Sequence, residues 1–83
     1  MLISFTKKAF QLYRKALNPE QFTTEDIGVG YSITNKFTGE IEGRALRHSR
    51  GRYDTIIKKD SALEKQTKYI YYMEIGNDLQ TIE

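Results

Sequence analysis

The chain has 83 residues and a formal net charge of +2, and it contains one histidine and no cysteine. A chain of this length forms one small domain with little core from which to carve a deep pocket. The absence of cysteine excludes disulfide frameworks, thiolate zinc sites and cysteine nucleophiles. We therefore expect a single domain over residues 1–83.

The first residues do not have the pattern of a targeting segment. Lys7 and Lys8 follow an apolar start, which is the reverse of the order in a secretory signal. No apolar run approaches the ~20 residues that a membrane-spanning helix needs. These features predict a cytoplasmic protein that does not act at a membrane.

A helix is predicted over residues 6–17, where apolar residues recur at the spacing of one helical face. This apolar stripe consists of Phe5, Ala9, Leu12, Tyr13 and Ala16. Ser4 or Thr6 is suited to the N-cap position, and Asn18-Pro19 ends the helix. The charged residues opposite the stripe are predicted to form a solvent-exposed face, and they are Lys7, Lys8, Arg14 and Lys15.

The helix is followed by a polar connection over 20–26 and then by a predicted strand over 27–35. Apolar and small residues alternate strictly in this strand, which is the period of a β-strand. Gly28 and Gly30 also form a Gly-x-Gly pattern. They lack the third glycine and the following helix of a dinucleotide-binding loop, so we interpret them as strand residues.

Two further strands are predicted to complete a pair of hairpins. Turn residues over 35–39 connect the first strand to a second one over 40–48. A second turn over 48–51 leads to a third strand over 52–58, with Ile56 and Ile57 on opposite faces. The arginine-rich segment is therefore expected at the tip and shoulders of a β-hairpin.

The C-terminal part is predicted to add a connector over 60–67 and two strands. The pattern Ser61-x-x-Glu64 in the connector is compatible with one capped helical turn. Residues 68–75 are apolar or aromatic on both faces, so we place this strand at the centre of the sheet. Residues 79–82 form a short last strand.

Together these elements predict an α+β fold in which one N-terminal helix packs on an antiparallel sheet of about five strands, in the order α-β-β-β-β-β. The helix stripe and one sheet face are expected to supply the core. The predicted core residues are Phe5, Ala9, Leu12, Tyr13, Ala16, Ile27, Val29, Ile33, Ile70 and Met73.

The candidate functional site is a basic cluster in the second hairpin. Four of the five arginines and the single histidine lie between Arg44 and Arg52, and no acid interrupts these nine residues. Arginine matches phosphate oxygens and guanine edges, and Tyr53, Tyr31, Tyr71 or Tyr72 could offer a surface for an unpaired base. The candidate binding residues are Arg44, Arg47, His48, Arg50, Arg52 and Tyr53. The alternative interpretation is that these arginines only solubilise the hairpin and prevent edge pairing.

The predicted function is therefore non-enzymatic binding of nucleic acid or of a nucleic-acid-processing protein through this hairpin, in the manner of a phage-type inhibitor or regulator. Carboxylates are scattered over different elements, and Glu40 and Glu42 alone do not make a metal site. We expect no metal and no other cofactor. The sequence leaves the oligomeric state open.

The alternative function is RNA cleavage by acid–base catalysis, with His48 as the catalytic residue among phosphate-binding arginines. Residues 3–10 and 69–75 are similar to segments of the small ribonuclease toxins of bacterial toxin–antitoxin pairs. Those toxins place two helices before their sheet, whereas one helix is predicted here. No site motif of that class is carried over to this chain.

Overall fold

In the part of the chain that the structure describes, the fold consists of one antiparallel sheet and two helices. The computed structural model describes residues 1–48, 50–70 and 79–81. The elements in chain order are β1 (Leu2–Phe5), α1 (Lys7–Ala16), β2 (Phe22–Asp26), β3 (Gly30–Asn35), β4 (Ile41–Arg47), β5 (Tyr53–Ile57), α2 (Ala62–Ile70) and β6 (Leu79–Thr81). The spatial order of the strands is β2-β3-β4-β5-β1-β6. The α+β class and the antiparallel sheet are confirmed, but the predicted element order is wrong.

Helix α1 is confirmed with the boundaries that its capping residues predict. The Thr6 hydroxyl accepts a hydrogen bond from the Ala9 backbone N–H at 3.1 Å, and the helix ends before Leu17, which has an extended backbone. The buried stripe of α1 contains Ala9, Phe10 and Tyr13. Leu12 is 37 % exposed and Ala16 is also exposed, because the helix turns Phe10 rather than Leu12 toward the sheet.

Strand β1 was not predicted, because its few residues precede the stronger helical pattern. It lies between β5 and β6, and its Ile3 and Phe5 pair with Thr55 and Tyr53. Both apolar side chains are fully buried. Phe5 therefore belongs to the core as predicted, but as a strand residue.

The predicted strand over 27–35 is in fact a turn followed by β3, and the predicted polar connection contains β2. The chain reverses at Gly28, which has a φ of 87° that favours glycine. The Asp26 carboxylate fixes the turn by accepting the Gly28 N–H at 2.7 Å. Ile27 and Val29, which were predicted to be buried, are 44 % and 64 % exposed at this turn.

Helix α2 replaces both the connector and the start of the strand that was predicted over 68–75. The Ser61 hydroxyl accepts the Glu64 N–H at 3.0 Å, as an N-cap residue does. Leu63, Thr67 and Ile70 are buried at helical spacing, so the apolar residues at 69–70 continue a helix. Met73 and the rest of that predicted strand lie outside the described residues. The last predicted strand is confirmed over Leu79–Thr81.

Both helices pack on the same face of the sheet. The Tyr13 hydroxyl on α1 lies 2.8 Å from the Thr67 hydroxyl on α2, and the Leu63 side chain lies against Gly43 of β4. The opposite face of the sheet carries exposed residues such as Ile56. The buried apolar residues are Ile3, Phe5, Ala9, Phe10, Tyr13, Leu17, Phe22, Ile33, Ala45, Tyr53, Ile57, Leu63 and Ile70. In the described part of the chain, neither helix has the length and apolar character needed to cross a membrane.

Candidate functional site

The arginine-rich segment lies on the β4–β5 hairpin, as predicted. The two strands pair in antiparallel register from Gly43 with Ile57 to Arg47 with Tyr53. The turn is closed by the Gly51 N–H, which donates to the His48 carbonyl at 3.0 Å, and Gly51 has a φ of 75°. The alternation of side chains along β4 and β5 then distributes the cluster over both faces of the sheet.

Arg44 and Arg52 lie on the sheet face opposite α1 and α2. Arg44 is exposed and pairs in register with the exposed Ile56 of β5. The Arg52 Nε donates to the Ser4 hydroxyl of β1 at 3.0 Å, and its terminal nitrogen donates to the same oxygen. Arg44 and Arg52 therefore do not share a surface with Arg47, His48 and Tyr53, which line the other face of the hairpin, and the Arg52 guanidinium is already hydrogen-bonded to Ser4.

The helix face of the hairpin borders an open groove of about 640 Å³ between the start of α1 and the β4–β5 turn. The residues that line it are Lys7, Gln11, Tyr31, Arg47, His48, Gly51 and Tyr53. A shallower depression of about 390 Å³ adjoins it through Gln11 and is lined by Gln11, Arg14, Lys15 and Thr24. We call these two surfaces together the basic groove. It contains Arg47, His48 and Tyr53 of the predicted site, while Arg50 lies exposed at the turn.

The residues that α1 contributes to the groove were not predicted as part of the site. Lys7, Gln11 and Lys15 follow each other at four-residue spacing, so they lie on one side of the helix. The sequence alone predicts these lysines only as part of a solvent-exposed face. Their four-residue spacing indicates that they share one side of the helix, but the sequence does not show that this side borders the hairpin.

Aromatic rings form the floor of the groove. The Phe10 ring of α1 stacks on Tyr53 with a centroid distance of 4.4 Å and an interplanar angle of 14°. The Tyr31 ring of β3 lies 5.5 Å from Phe10 and 6.2 Å from Tyr53. Tyr53 is only 7 % exposed, so it supports the groove from the core and offers no free ring face.

Arg47 is the cation that the hairpin contributes to this surface. A side-chain hydrogen bond with Tyr53 raises the pKa of the Arg47 guanidinium, and the Asp26 carboxylate acts in the same direction. Within the described part of the chain, Lys7, Lys15 and Arg47 form no ion pair. Asp26 is the acid whose negative charge helps to raise the pKa of Arg47. The basic groove still carries more positive than negative charge.

Arg14, like Arg47, lies over a tyrosine ring and so differs from Lys7 and Lys15; the Arg47 guanidinium carbon is 5.9 Å from the centroid of Tyr53. Its guanidinium carbon lies 4.2 Å above the centroid of the Tyr31 ring, and one terminal nitrogen donates to the Thr24 hydroxyl at 3.4 Å. This is cation–π geometry, which holds the side chain against the sheet. Arg14 therefore covers Tyr31 and is not free in the way that Lys15 is.

The basic groove can bind an extended anion by charge and hydrogen bonding. Among the residues that the structure describes, no three histidine or carboxylate side chains are grouped to hold a metal ion. A scan of protein-family models and searches of curated proteins and of solved structures find no match to this chain. The inference of function therefore depends on the groove's own geometry and charge.

Proposed function

We propose that this protein is a non-enzymatic module that binds nucleic acid through phosphate contacts in the basic groove. The observation that carries the proposal is the convergence of Lys7, Lys15 and Arg47, which have no ion-pair partner among the described residues. Cations that neutralise phosphates release condensed counterions from the nucleic acid, which drives association without base recognition.

The shape of the groove supports an elongated ligand. Its two parts both border Gln11 and lie beside α1, one toward the hairpin and the other toward Thr24 of β2. Sites for small molecules usually enclose most of the ligand in a largely apolar pocket. Here a lysine row on one wall and Arg47 on the other match a polyanionic chain.

A nucleic-acid-processing protein with an acidic surface is the other partner that the basic hairpin predicts. Such a partner would be attracted by the same charges and would form a complex of defined stoichiometry. In that case the protein would not bind generic oligonucleotides. With such a partner, this protein would act as a phage-type inhibitor or regulator of it. The titration below separates the two, because it uses nucleic acid alone.

The test is a fluorescence-anisotropy titration of labelled oligonucleotides with wild-type protein, Arg47→Gln and Arg44→Gln. The two variants lose the same charge on the same strand, but Arg47 lines the groove and Arg44 lies on the opposite face. We expect Arg47→Gln to weaken binding to a duplex and to reduce the log–log salt slope by about 0.9. Arg44→Gln should retain wild-type affinity.

Two results would contradict the proposal. Wild-type protein that binds no oligonucleotide more tightly than ~10⁻⁴ M at low salt lacks even the weakest sequence-independent affinity that phosphate contacts give. Equal losses in Arg47→Gln and Arg44→Gln would show that the binding surface is not the basic groove.

A ribonuclease activity is the second candidate, and the position of His48 in the same groove as Lys7 and Arg47 favours it. Proton transfer by a positioned histidine typically supplies about 10²–10⁴-fold in rate. If this function holds, His48→Gln should abolish cleavage of a labelled RNA while leaving RNA binding and the melting temperature unchanged. Wild-type protein that leaves the RNA intact at every pH from about 5 to 8 rules it out.

A further inference from the structure

We infer that the sheet face opposite the helices is a surface on which a second copy of this chain docks, so that the protein forms a twofold-symmetric dimer. The observation behind this inference is a group of exposed apolar side chains on that face, with one arginine and one aspartate among them. The inference goes beyond the proposed function, since the basic groove lies on the other face of the sheet.

The apolar side chains form one contiguous patch. Ile41, Leu46 and Ile56 are between 39 % and 54 % exposed, and they line a single depression of about 380 Å³ on β4 and β5. In an antiparallel sheet with one covered face, the residues that point to solvent are normally polar. A contiguous group of apolar residues at such positions is typical of an interaction surface.

The charges in this patch are Arg44 and Asp54. Arg44 of β4 pairs in register with Ile56 of β5. Two residues further along the same strands, and on the same face, Leu46 pairs with Asp54. The two charges therefore lie on one diagonal of this array of four side chains, and the two apolar side chains lie on the other. Within the described part of the chain, neither Arg44 nor Asp54 forms an ion pair.

This array of four side chains is complementary to itself. A twofold axis along the apolar diagonal sets Arg44 against Asp54 of the partner subunit, and Asp54 against the partner's Arg44. The same rotation sets Leu46 and Ile56 against their own counterparts and removes them from water. Reciprocal contacts of this kind define the interface of a twofold-symmetric dimer.

A second copy fits this face better than a partner that carries charges of one sign. An acidic partner would bury Asp54 without an opposite charge, and a basic partner would do the same to Arg44. A buried charge without its partner is strongly destabilising. Only a surface that carries both signs, in the arrangement that the chain itself has, satisfies both residues.

The neighbouring charges can form the polar rim of this interface. Lys58 and Glu40 form an exposed ion pair at 3.4 Å, and the Arg52 Nε donates to the Ser4 hydroxyl at 3.0 Å. Because the apolar patch is small, we expect a weak dimer that forms at micromolar to millimolar protein concentration. Both basic grooves face outward in this dimer and stay open to a ligand, because they lie on the helix side of each sheet.

Sedimentation velocity over that concentration range tests the inference. The weight-average sedimentation coefficient of wild-type protein should rise with concentration from the monomer value toward the dimer value. Ile56→Lys sets two like charges against each other at the twofold axis and should abolish the rise. Val29→Lys is the matched control, because Val29 is 64 % exposed in the β2–β3 turn, outside this face. Both variants should keep the wild-type melting temperature, since both sites are exposed.

Charge reversal tests the pairing of Arg44 with Asp54. Arg44→Glu alone and Asp54→Arg alone each set like charges against each other across the interface, and each should weaken dimerisation by at least about tenfold. The double variant restores opposite charges in exchanged positions. It should therefore recover most of the wild-type dimerisation, which a merely destabilised protein would not do.

Three results would overturn the inference. The first is wild-type protein that stays monomeric up to millimolar concentration. The second is a dimer that Ile56→Lys does not weaken, since that dimer forms through another surface. The third is a double charge-reversal variant that dimerises no better than the single variants. None of these results affects the proposed nucleic-acid binding, which the titration of the basic groove tests separately.

Discussion

The Phe10 ring on α1 stacks on the Tyr53 ring on β5, with centroids 4.4 Å apart and an interplanar angle of 14°. This contact fixes the start of α1 against the turn end of the β4–β5 hairpin. It thereby sets the distance between the wall that carries Lys7 and the wall that carries Arg47. Tyr53 consequently belongs both to the core and to the lining of the basic groove, and Phe10 supports it from within the core.

Truncation of Phe10 should strongly destabilise the protein, because the side chain is 1 % exposed and contacts four other rings. We expect Phe10→Ala to lower the free energy of unfolding by about 3–5 kcal/mol, measured by urea denaturation. Leu12→Ala on the same helix is the matched control. Leu12 is 37 % exposed, so its truncation should cost less than about 1.5 kcal/mol. Equal losses would mean that α1 does not present Phe10 to the sheet.

The buried hydrogen bond between Tyr13 and Thr67 should couple the two helices energetically. The hydroxyl oxygens are 2.8 Å apart, and both residues are fully buried. Tyr13→Phe leaves the Thr67 hydroxyl unpaired and should cost about 1–3 kcal/mol. In a double-mutant cycle with Thr67→Val, the double variant should lose less than the sum of the single losses. Strict additivity would show that the hydrogen bond does not form in solution.

Stability should decline at alkaline pH because of the same tyrosine. Burial raises the pKa of the Tyr13 phenol above its ordinary value of 10.0, and the hydrogen bond with Thr67 opposes this to a smaller extent. Above about pH 10 the unfolded chain releases this proton while the folded chain keeps it, so the free energy of unfolding falls as the pH rises. Urea denaturation at several pH values between about 8 and 11 should show a shallower decline for Tyr13→Phe than for wild type. Identical declines would contradict the assignment to Tyr13.

Glu42 should be important for stability although it is charged. It is 6 % exposed, and its carboxylate accepts hydrogen bonds from the Asn35 amide at 3.1 Å and from the Leu63 backbone N–H at 3.0 Å. Glu42→Ala leaves two buried donors without an acceptor, and each should lower the free energy of unfolding by about 1–3 kcal/mol.

Glu40→Ala is the control for Glu42→Ala. Glu40 forms an ion pair with Lys58 at 3.4 Å, and both side chains are more than half exposed. The expected loss is at most about 1 kcal/mol in the same urea denaturation experiment. If Glu42→Ala cost no more than Glu40→Ala, the buried hydrogen bonds of Glu42 would not contribute to the folded state.

Local patterns in the sequence predicted the elements whose signals are short-range. Helix α1 is an example, because Thr6 caps it and its apolar residues recur at helical spacing. The β4–β5 hairpin is another, because Gly51 supplies the left-handed turn residue. Local patterns gave wrong predictions at two places. The apolar alternation at residues 27–29 and the β-favouring composition at residues 68–70 both predicted strands. A turn fixed by Asp26 and a helix capped by Ser61 override those preferences.

The sequence by itself determined that a dense basic segment would lie on a hairpin and that α1 would carry lysines along one side. Only the tertiary structure decided which of these charges share a surface. Arg47 meets Lys7 across the groove, whereas Arg44 lies on the other face of the sheet. The physical reason is that pairings such as Ile3 with Thr55 join residues far apart in the chain. No local spacing specifies the order of strands or the helix position that follows from such pairings.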